Sequence, residues 1–178
     1  RDPAVPRSMT KRRVLITGAA GGVGTMFREW AAARYDFVCH DRIPTPGVPG
    51  AVVADLTDLP ALERAAEGCD ALIHLGGQPR SADFLSVIVP CNIVGTYHAF
   101  EAAAKAKVRR VVFASTLQVE DGYPEGLQVS VTMSAQPVNV YAISKAFGEN
   151  LARVYAGRKQ FTAICLRLGH VAVPSRAP

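Results

Sequence analysis

Val14-Leu15-Ile16-Thr17-Gly18-Ala19-Ala20-Gly21-Gly22-Val23-Gly24 is the stretch whose reading decides the fold. A short apolar run, Arg13 to Thr17, reads as a buried strand and opens into glycines. A helix follows, expected from about Val23 to Arg34. The spacing Gly18-x-x-Gly21-x-x-Gly24 is a weak signal alone, but between a strand and a helix it has the context of a dinucleotide pyrophosphate cradle. Gly18 permits the tight turn, Gly21 lets backbone approach a phosphate, and Gly24 lets helix pack on strand. The helix start at Ala20, Gly22 and Val23 then offers amide donors and a partial positive charge. The alternative is a glycine-rich turn with no ligand.

Downstream the pattern alternates. Asp36 to Asp41 is a second strand, and a Pro/Gly loop, Ile43 to Gly50, separates it from a third, Ala51 to Ala54. Asp58 can cap a helix with Pro60 in its first turn, and that helix ends at Gly68. Asp70 to Leu75 is a fourth strand. After a polar loop, Gly76 to Asp83, a helical stretch spans Phe84 to Lys105, with Pro90 expected to bend it or mark a false start. Arg110 to Ser115 is a fifth strand, Thr116 to Pro137 a long irregular loop, and long loops are often functional. Asn139 to Tyr155 is a helix with an apolar stripe of Tyr141, Phe147, Leu151 and Val154. Phe161 to Leu168 is a sixth strand. Nearly continuous apolar strands alternating with helices predict an α/β fold, a doubly wound parallel sheet of Rossmann type with helices on both faces.

At 178 residues the chain suits one domain, residues 11–178, preceded by a disordered leader at 1–10. The hydrophobic fraction is 49%, and no apolar run is long enough to cross a bilayer. The net charge is +5, yet Arg1, Arg7, Lys11, Arg12 and Arg13 against Asp2 account for four of those charges. With no basic stripe and no interleaved aromatics, a nucleic-acid partner is not expected. Cys39, Cys69, Cys91 and Cys165 are widely spaced with no C-x-x-C, which points to reduced thiols in a cytoplasmic protein rather than a disulfide framework or zinc site.

Several residues extend the cradle. Asp41, at the end of the second strand, stands where a carboxylate accepts from the adenosine ribose hydroxyls and repels a 2′-phosphate, which favours NAD over NADP. Arg42 beside it could instead bind such a phosphate, and a plain solvated strand-end acid is the other reading of Asp41. Asp55-Leu56 follows the third strand and could meet the adenine, although Asp also starts turns. Leu75, Gly76 and Gly77 end the fourth strand, where ligands of such sheets bind. His74 reads as a core histidine. Asn92 could hold backbone or water near the site, or face solvent.

Tyr141-Ala142-Ile143-Ser144-Lys145 supplies proton chemistry. A free phenol near pKa 10 is a poor base at neutral pH. Lys145 lies on the same helix face and is expected to favour the phenolate and lower the tyrosine pKa. Thr116 or its neighbour Ser115 would orient a substrate oxygen at the end of the fifth strand. An amphipathic helix face is the alternative reading of Tyr-x-x-x-Lys. No metal is needed.

As an ordered set these motifs, with Asn92-Ile93-Val94-Gly95-Thr96, Phe113-Ala114-Ser115-Thr116 and Arg167-Leu168-Gly169, resemble the extended short-chain dehydrogenase/reductase family, also called the NAD-dependent epimerase/dehydratase family. The resemblance runs from about Arg12 to Gly169. It implies Tyr141 and Lys145 as catalytic residues, Thr116 or Ser115 as the catalytic hydroxyl, and cofactor contacts at the glycines, Asp41, Asp55, Gly76 and Lys145, with Asn92 as the supporting asparagine. Within the family, His74 to Gly77, Asn92 to Ala103 and Ser144 to Arg153 look like uronate dehydrogenases, which oxidise a hexuronic acid at its anomeric carbon. Leu117-Gln118 departs from their Asn-His, and Pro79 stands where a substrate-binding serine is expected. Family members continue past Gly169 with a seventh strand and a small substrate-binding part, expected to lie outside these 178 residues. The resemblance also implies a homodimer through the helices Phe84–Lys105 and Asn139–Tyr155.

The expected function is therefore an NAD-dependent oxidoreductase for a carbinol of a sugar or sugar acid. The alternatives are a nucleotide-sugar epimerase or dehydratase with tightly held NAD, and a non-catalytic dinucleotide-binding regulator.

Overall fold

The protein is represented by a computed structural model in which residues 11–171 are described. The leader expected at residues 1–10 lies outside them. Six parallel strands run β1 (Arg12–Thr17), β2 (Tyr35–Asp41), β3 (Val52–Val53), β4 (Ala71–His74), β5 (Arg110–Thr116) and β6 (Thr162–Leu168), in the sheet order β3-β2-β1-β4-β5-β6. Strand order reverses between β1 and β4, the switch point beside which a doubly wound sheet binds its ligands.

One face of the sheet carries α2 (Leu59–Ala66), α3 (Gly95–Lys105) and α4 (Val140–Gly157), packed through Leu62, Ala103, Phe100 and Tyr155 onto Leu15, Leu72, Val111 and Phe113. The other face carries α1 (Gly22–Ala31), whose Phe27 packs with Val14, Ile16 and Cys39. On β6, Ile164 and Leu166 remain 43% and 45% exposed.

Element types match the expected pattern, with shifts at boundaries. The helix after the glycines ends at Ala31 rather than Arg34, and the third strand is two residues long. The stretch with Pro90 starts as a π-helix (Phe84–Val94) that passes into α3. The Ile88 amide donates to the Asp83 carbonyl five residues back, at 3.0 Å, and that of Gly95 to Pro90. Pro90 has no amide hydrogen, and its ring would strike the carbonyl four residues back in an α-helix; the wider winding accommodates it without ending the helix. The loop after β5 begins with a 3-10 turn, Leu117–Glu120, and is tied by Gln136, whose amide donates to Val119 and whose carbonyl accepts from Gly122.

The stripe expected on α4 is corrected. Val154 is 46% exposed, while Tyr141, Ser144, Lys145, Gly148 and Glu149 are buried. The buried face is built of small and polar residues because the sheet below presents Phe113. A β-carbon on Gly148 would lie 2.3 Å from Cζ of that ring.

Beneath the carboxyl edge of the sheet, Thr17, His74 and Phe113 stand in register on β1, β4 and β5. His74 is fully buried, as its core reading expected. Its Nδ1 lies 2.6 Å from the Thr17 hydroxyl and its Nε2 3.2 Å from that of Thr96. Thr17 Oγ1 also accepts from the Gly76 amide at 3.3 Å, so the imidazole and the two threonine hydroxyls form one buried hydrogen-bonded row tied to the end of β4. Burial pushes the His74 pKa down to about 3 from 6.5, with the nearby Lys145 charge adding to the effect.

Two outcomes follow from this packing. Gly148→Ala should destabilise the protein by about 1–3 kcal/mol through overpacking, whereas Gly157→Ala, with open space around it, should be neutral or mildly stabilising. Thermal unfolding of the two variants compares them, and an unchanged Tm for Gly148→Ala refutes the contact. The second outcome concerns pH. Because the folded His74 resists protonation and the unfolded one does not, its contribution is intact above pH 6.5 and is lost as pH falls toward 3. The slope approaches about 1.4 kcal/mol per pH unit. His74→Gln should flatten that limb in denaturant titrations, and equal slopes would contradict the assignment.

Candidate active site

The turn from β1 into α1 is closed by contacts that only glycine allows. Gly18 has φ +70°, and a β-carbon on it would sit 2.7 Å from the Gly76 amide nitrogen. One on Gly24 would sit 2.3 Å from the Gly18 carbonyl oxygen. At Gly21 the nearest neighbour is the same oxygen at 3.3 Å. Four helical segments start with a side-chain cap: Asp58 accepts from Ala61, Asp83 from Ser86, Thr116 from Gln118 and Asn139 from Ala142. At α1 the N-cap is Gly21, with no side-chain cap and no acidic residue in the first turn. Its leading amides and positive dipole end are therefore available to an anion.

This helix start opens onto a cleft of about 390 Å³. Gly18, Ala20, Gly21, Gly22, Val23 and Gly24 form one wall, Asp41 and Arg42 one end, and Asp55 and Leu56 another side. Leu75, Gly76 and Gly77 line it from the end of β4. Asp41 accepts from the Ala20 amide at 2.9 Å, so the strand-end acid also braces the glycine turn. Leu56 packs closely over Gly76 and Gly95.

His40, Ile43, Gln78, Val87 and Cys91 also line the cleft and were not singled out from sequence. Of these only His40 carried a signal, as a polar residue one place before the strand-end acid. Its ring is fully buried and both nitrogens lack a hydrogen-bond partner among the described residues. Burial holds its pKa below the usual histidine value, against the pull of the Asp41 charge. The cradle that a β-carbon would fill, the uncapped helix start and this orphaned ring fit a polar, phosphate-bearing ligand.

Asn92 and Lys145 are not on that lining but adjoin it at Gly77. A β-carbon on Gly77 would lie 2.9 Å from Asn92 Oδ1 and 3.9 Å from Lys145 Nζ. Asn92 is 2% exposed, which overturns its solvent-facing reading. Its Oδ1 accepts from the Gln78 amide at 2.7 Å, and its Nδ2 donates to the Gln78 carbonyl and to Ser144 Oγ at 2.9 Å. Ser144 donates in turn to the Tyr141 carbonyl at 2.6 Å. The π-helix thus ties the loop after β4 to the first turn of α4.

Lys145 is 6% exposed, with Nζ 5.1 Å above the Phe113 ring and 5.8 Å from the centre of the Tyr141 ring. Loss of hydration pushes its pKa down to about 8, so it remains a cation at neutral pH. The expected lowering of the Tyr141 pKa by Lys145 is corrected. Burial raises the phenol above its ordinary value, and the only opposing influence is a hydrogen bond from Thr116. Removing the phenolate from water outweighs a cation held on the ring side rather than at the oxygen.

The two strand-end hydroxyls separate. Thr116 Oγ1 accepts from the Gln118 amide at 3.3 Å, which leaves its hydrogen for the Tyr141 oxygen. Ser115, the neighbouring alternative, instead donates to Glu149 Oε1 at 2.6 Å. Successive strand residues face opposite ways, so only one hydroxyl can serve Tyr141. Among the described residues no group of three or more His, Cys, Asp or Glu side chains could hold a metal ion, and no helix is long and apolar enough to cross a membrane.

Known proteins share this sequence pattern and fold. A uronate dehydrogenase from Pseudomonas putida is 33% identical over 88% of this chain and 60% of its own length. An L-arabinose 1-dehydrogenase (NAD(P)(+)) from Haloferax volcanii is 36% identical over 88% of this chain and 66% of its own. The crystal structure of a mutant uronate dehydrogenase from Agrobacterium tumefaciens, complexed with NAD, superposes with a TM-score of 0.78 at 35% identity, covering 86% of this chain and 59% of that one. The chain spans about 60% of the length of the uronate dehydrogenases it matches. Residues 14–178 match the model of the NAD dependent epimerase/dehydratase family, and with this fold, glycine turn and strand-end site the chain belongs to that family.

Proposed function

We propose that this chain is the dinucleotide-binding part of an NAD-dependent oxidoreductase acting on a carbinol of a sugar or sugar acid, as uronate dehydrogenases do. The observation that carries the reading is the continuity of one cleft. It runs from the uncapped helix start at Gly21 and the carboxylate of Asp41 to Gly77, against which Lys145 lies.

In this reading Gly18, Ala20, Gly21, Gly22, Val23 and Gly24 receive the diphosphate, and Asp41, Arg42, Asp55 and Leu56 receive the adenosine. Leu75, Gly76, Gly77, Asn92 and Lys145 shape the nicotinamide end. NAD, when bound, supplies the hydride acceptor. Tyr141 takes the substrate hydroxyl proton as the carbinol carbon gives up its hydride, Thr116, whose hydrogen favours the phenolate of Tyr141, offers a free lone pair to orient the substrate hydroxyl, and Lys145 keeps positive charge beside the phenol. Ser115 has no direct role, because its hydroxyl is committed to Glu149. Pro79 lines the same cleft, and the exposed Leu117 follows Thr116 in the chain. The proposal includes a cytoplasmic setting, supported by four unpaired thiols, and a homodimer, supported by exposed Tyr97, Ile143 and Val154 on α3 and α4.

A screen of uronates, aldoses and nucleotide sugars with NAD, followed by NADH absorbance, tests the reading. Release of NADH with an oxidised sugar is the expected result. An isomerised product without NADH would assign an epimerase, and tight NAD binding with no turnover would leave a regulator. Tyr141→Phe should lower kcat by about 10²–10⁴ while NAD affinity stays near wild type. Because the buried phenol ionises above its ordinary value while Lys145 keeps its charge only up to about pH 8, wild-type oxidation should quicken as pH rises from neutrality toward about 8, and Tyr141→Phe should lose that rise. Undiminished turnover would refute the role. Asp41→Ala should weaken NAD and relax discrimination against NADP, and an unmoved preference would reduce Asp41 to a brace for the Ala20 amide.

A further inference from the structure

We propose that Glu149 is a positioning residue: clamped by Arg167, its carboxylate holds Ser115 so that the adjoining Thr116 keeps its hydroxyl on the Tyr141 oxygen. The inference rests on the oxidoreductase reading for its consequence, but not for its geometry. Glu149 Oε1 accepts from Ser115 Oγ at 2.6 Å and from Arg167 Nε at 2.9 Å, and Oε2 accepts from Arg167 Nη2 at 2.8 Å. Arg167 Nη1 donates to Glu120 Oε1 at 2.6 Å. The side chains of Glu149, Arg167 and Glu120 are only 8%, 15% and 21% exposed.

A buried ion pair adds little net stability, because dehydrating both charges offsets their attraction. What distinguishes this one is where its ends are anchored. Ser115 is bonded in sequence to Thr116. Glu120 belongs to the 3-10 turn whose Gln118 amide donates to Thr116 Oγ1. Glu149 lies roughly two helical turns after Tyr141 on the same helix. Arg167 sits on β6, opposite Ser115 in the sheet register. The fork of one guanidinium thus joins β5, β6, the turn and α4 around the two groups that must meet, with the planar, bidentate geometry that lysine cannot reproduce.

The charged and titratable groups facing Glu149 are Arg167 and Cys165 on β6, and Arg153 on its own helix. Glu120 faces the other side of Arg167. Burial alone would raise the Glu149 pKa, but the hydrogen bonds and charges of Arg167, Ser115 and Arg153 hold it below the usual carboxylate value. The clamp is therefore ionised at neutral pH. Without it, the end of β5 stays paired with β6 but Ser115 loses its side-chain anchor to α4, and the hydroxyl that favours the phenolate can drift.

The test reads the Tyr141 phenol directly, by ultraviolet difference titration of each variant against the same variant carrying Tyr141→Phe, with NAD affinity measured in parallel by calorimetry. Thr116→Val sets the scale, since it removes the hydrogen bond outright. Ser115→Ala and Glu149→Gln should move the phenol midpoint upward, part of the way to the Thr116→Val value, with the Kd for NAD unchanged. In protein that turns over a sugar, kcat should fall about 10–100-fold, the usual cost of a small misplacement at a reacting centre. Ser115→Ala leaves the ion pair intact, so it decides the matter even where Glu149→Gln fails to fold. A wild-type phenol midpoint in Ser115→Ala, with or without a fall in Tm, overturns the inference and leaves the cluster a structural brace. Loss of turnover in Ser115→Ala without a phenol shift also overturns it, by making Ser115 the reacting hydroxyl. The phenol titration needs no substrate, so a wild-type chain that oxidises nothing would fail the oxidoreductase reading and leave this result standing.

Discussion

The rest of the structure depends on three backbone segments meeting at van der Waals distance where β1 ends. Side chains at Gly18 and Gly24 would overlap the Gly76 amide and the Gly18 carbonyl, so the contact exists only because both positions lack a β-carbon. Close approach lets α1 start directly above the sheet edge, with its amides uncapped. It also brings the end of β4 beside the turn, where the Thr17 hydroxyl accepts from the Gly76 amide and shares a hydrogen bond with His74. The cleft is the space left over this junction.

Away from the turn, the site is made from polar groups held where water does not reach. Lys145 is a dehydrated cation over Phe113, His74 a neutral ring pinned between two threonines, and Glu149 an anion locked by a guanidinium. Each is costly to bury alone, and each is compensated by a partner with fixed geometry, apart from His40, whose ring nitrogens face no partner. Such groups are oriented in advance, and little reorganisation is then needed when a charged ligand arrives.

Local chemistry made much of this legible. The glycine spacing, Asp58 before Pro60, and the alternation of apolar runs with helical stretches each reflect a requirement confined to a few neighbouring residues. The apolar stripe assigned to α4 misled for the converse reason. Lys145, Glu149 and Ser144 look like surface residues when judged one at a time, and they are buried because the surroundings supply their partners. Pro90 read as a bend, whereas a π-helix absorbs it and turns Asn92 inward.

The order of strands and helices, the cradle at Gly18 to Gly24 and the identity of Tyr141, Lys145 and Thr116 as candidates came from sequence, because backbone freedom, hydrogen-bonding capacity and periodicity are properties of residues and their near neighbours. Tertiary structure decided which strand-end hydroxyl faces the phenol, which way Asn92 points, and that burial rather than Lys145 governs the Tyr141 pKa. Those depend on dehydration and on partners dozens of residues away, such as Glu149 for Ser115, and no local pattern encodes the distance between them.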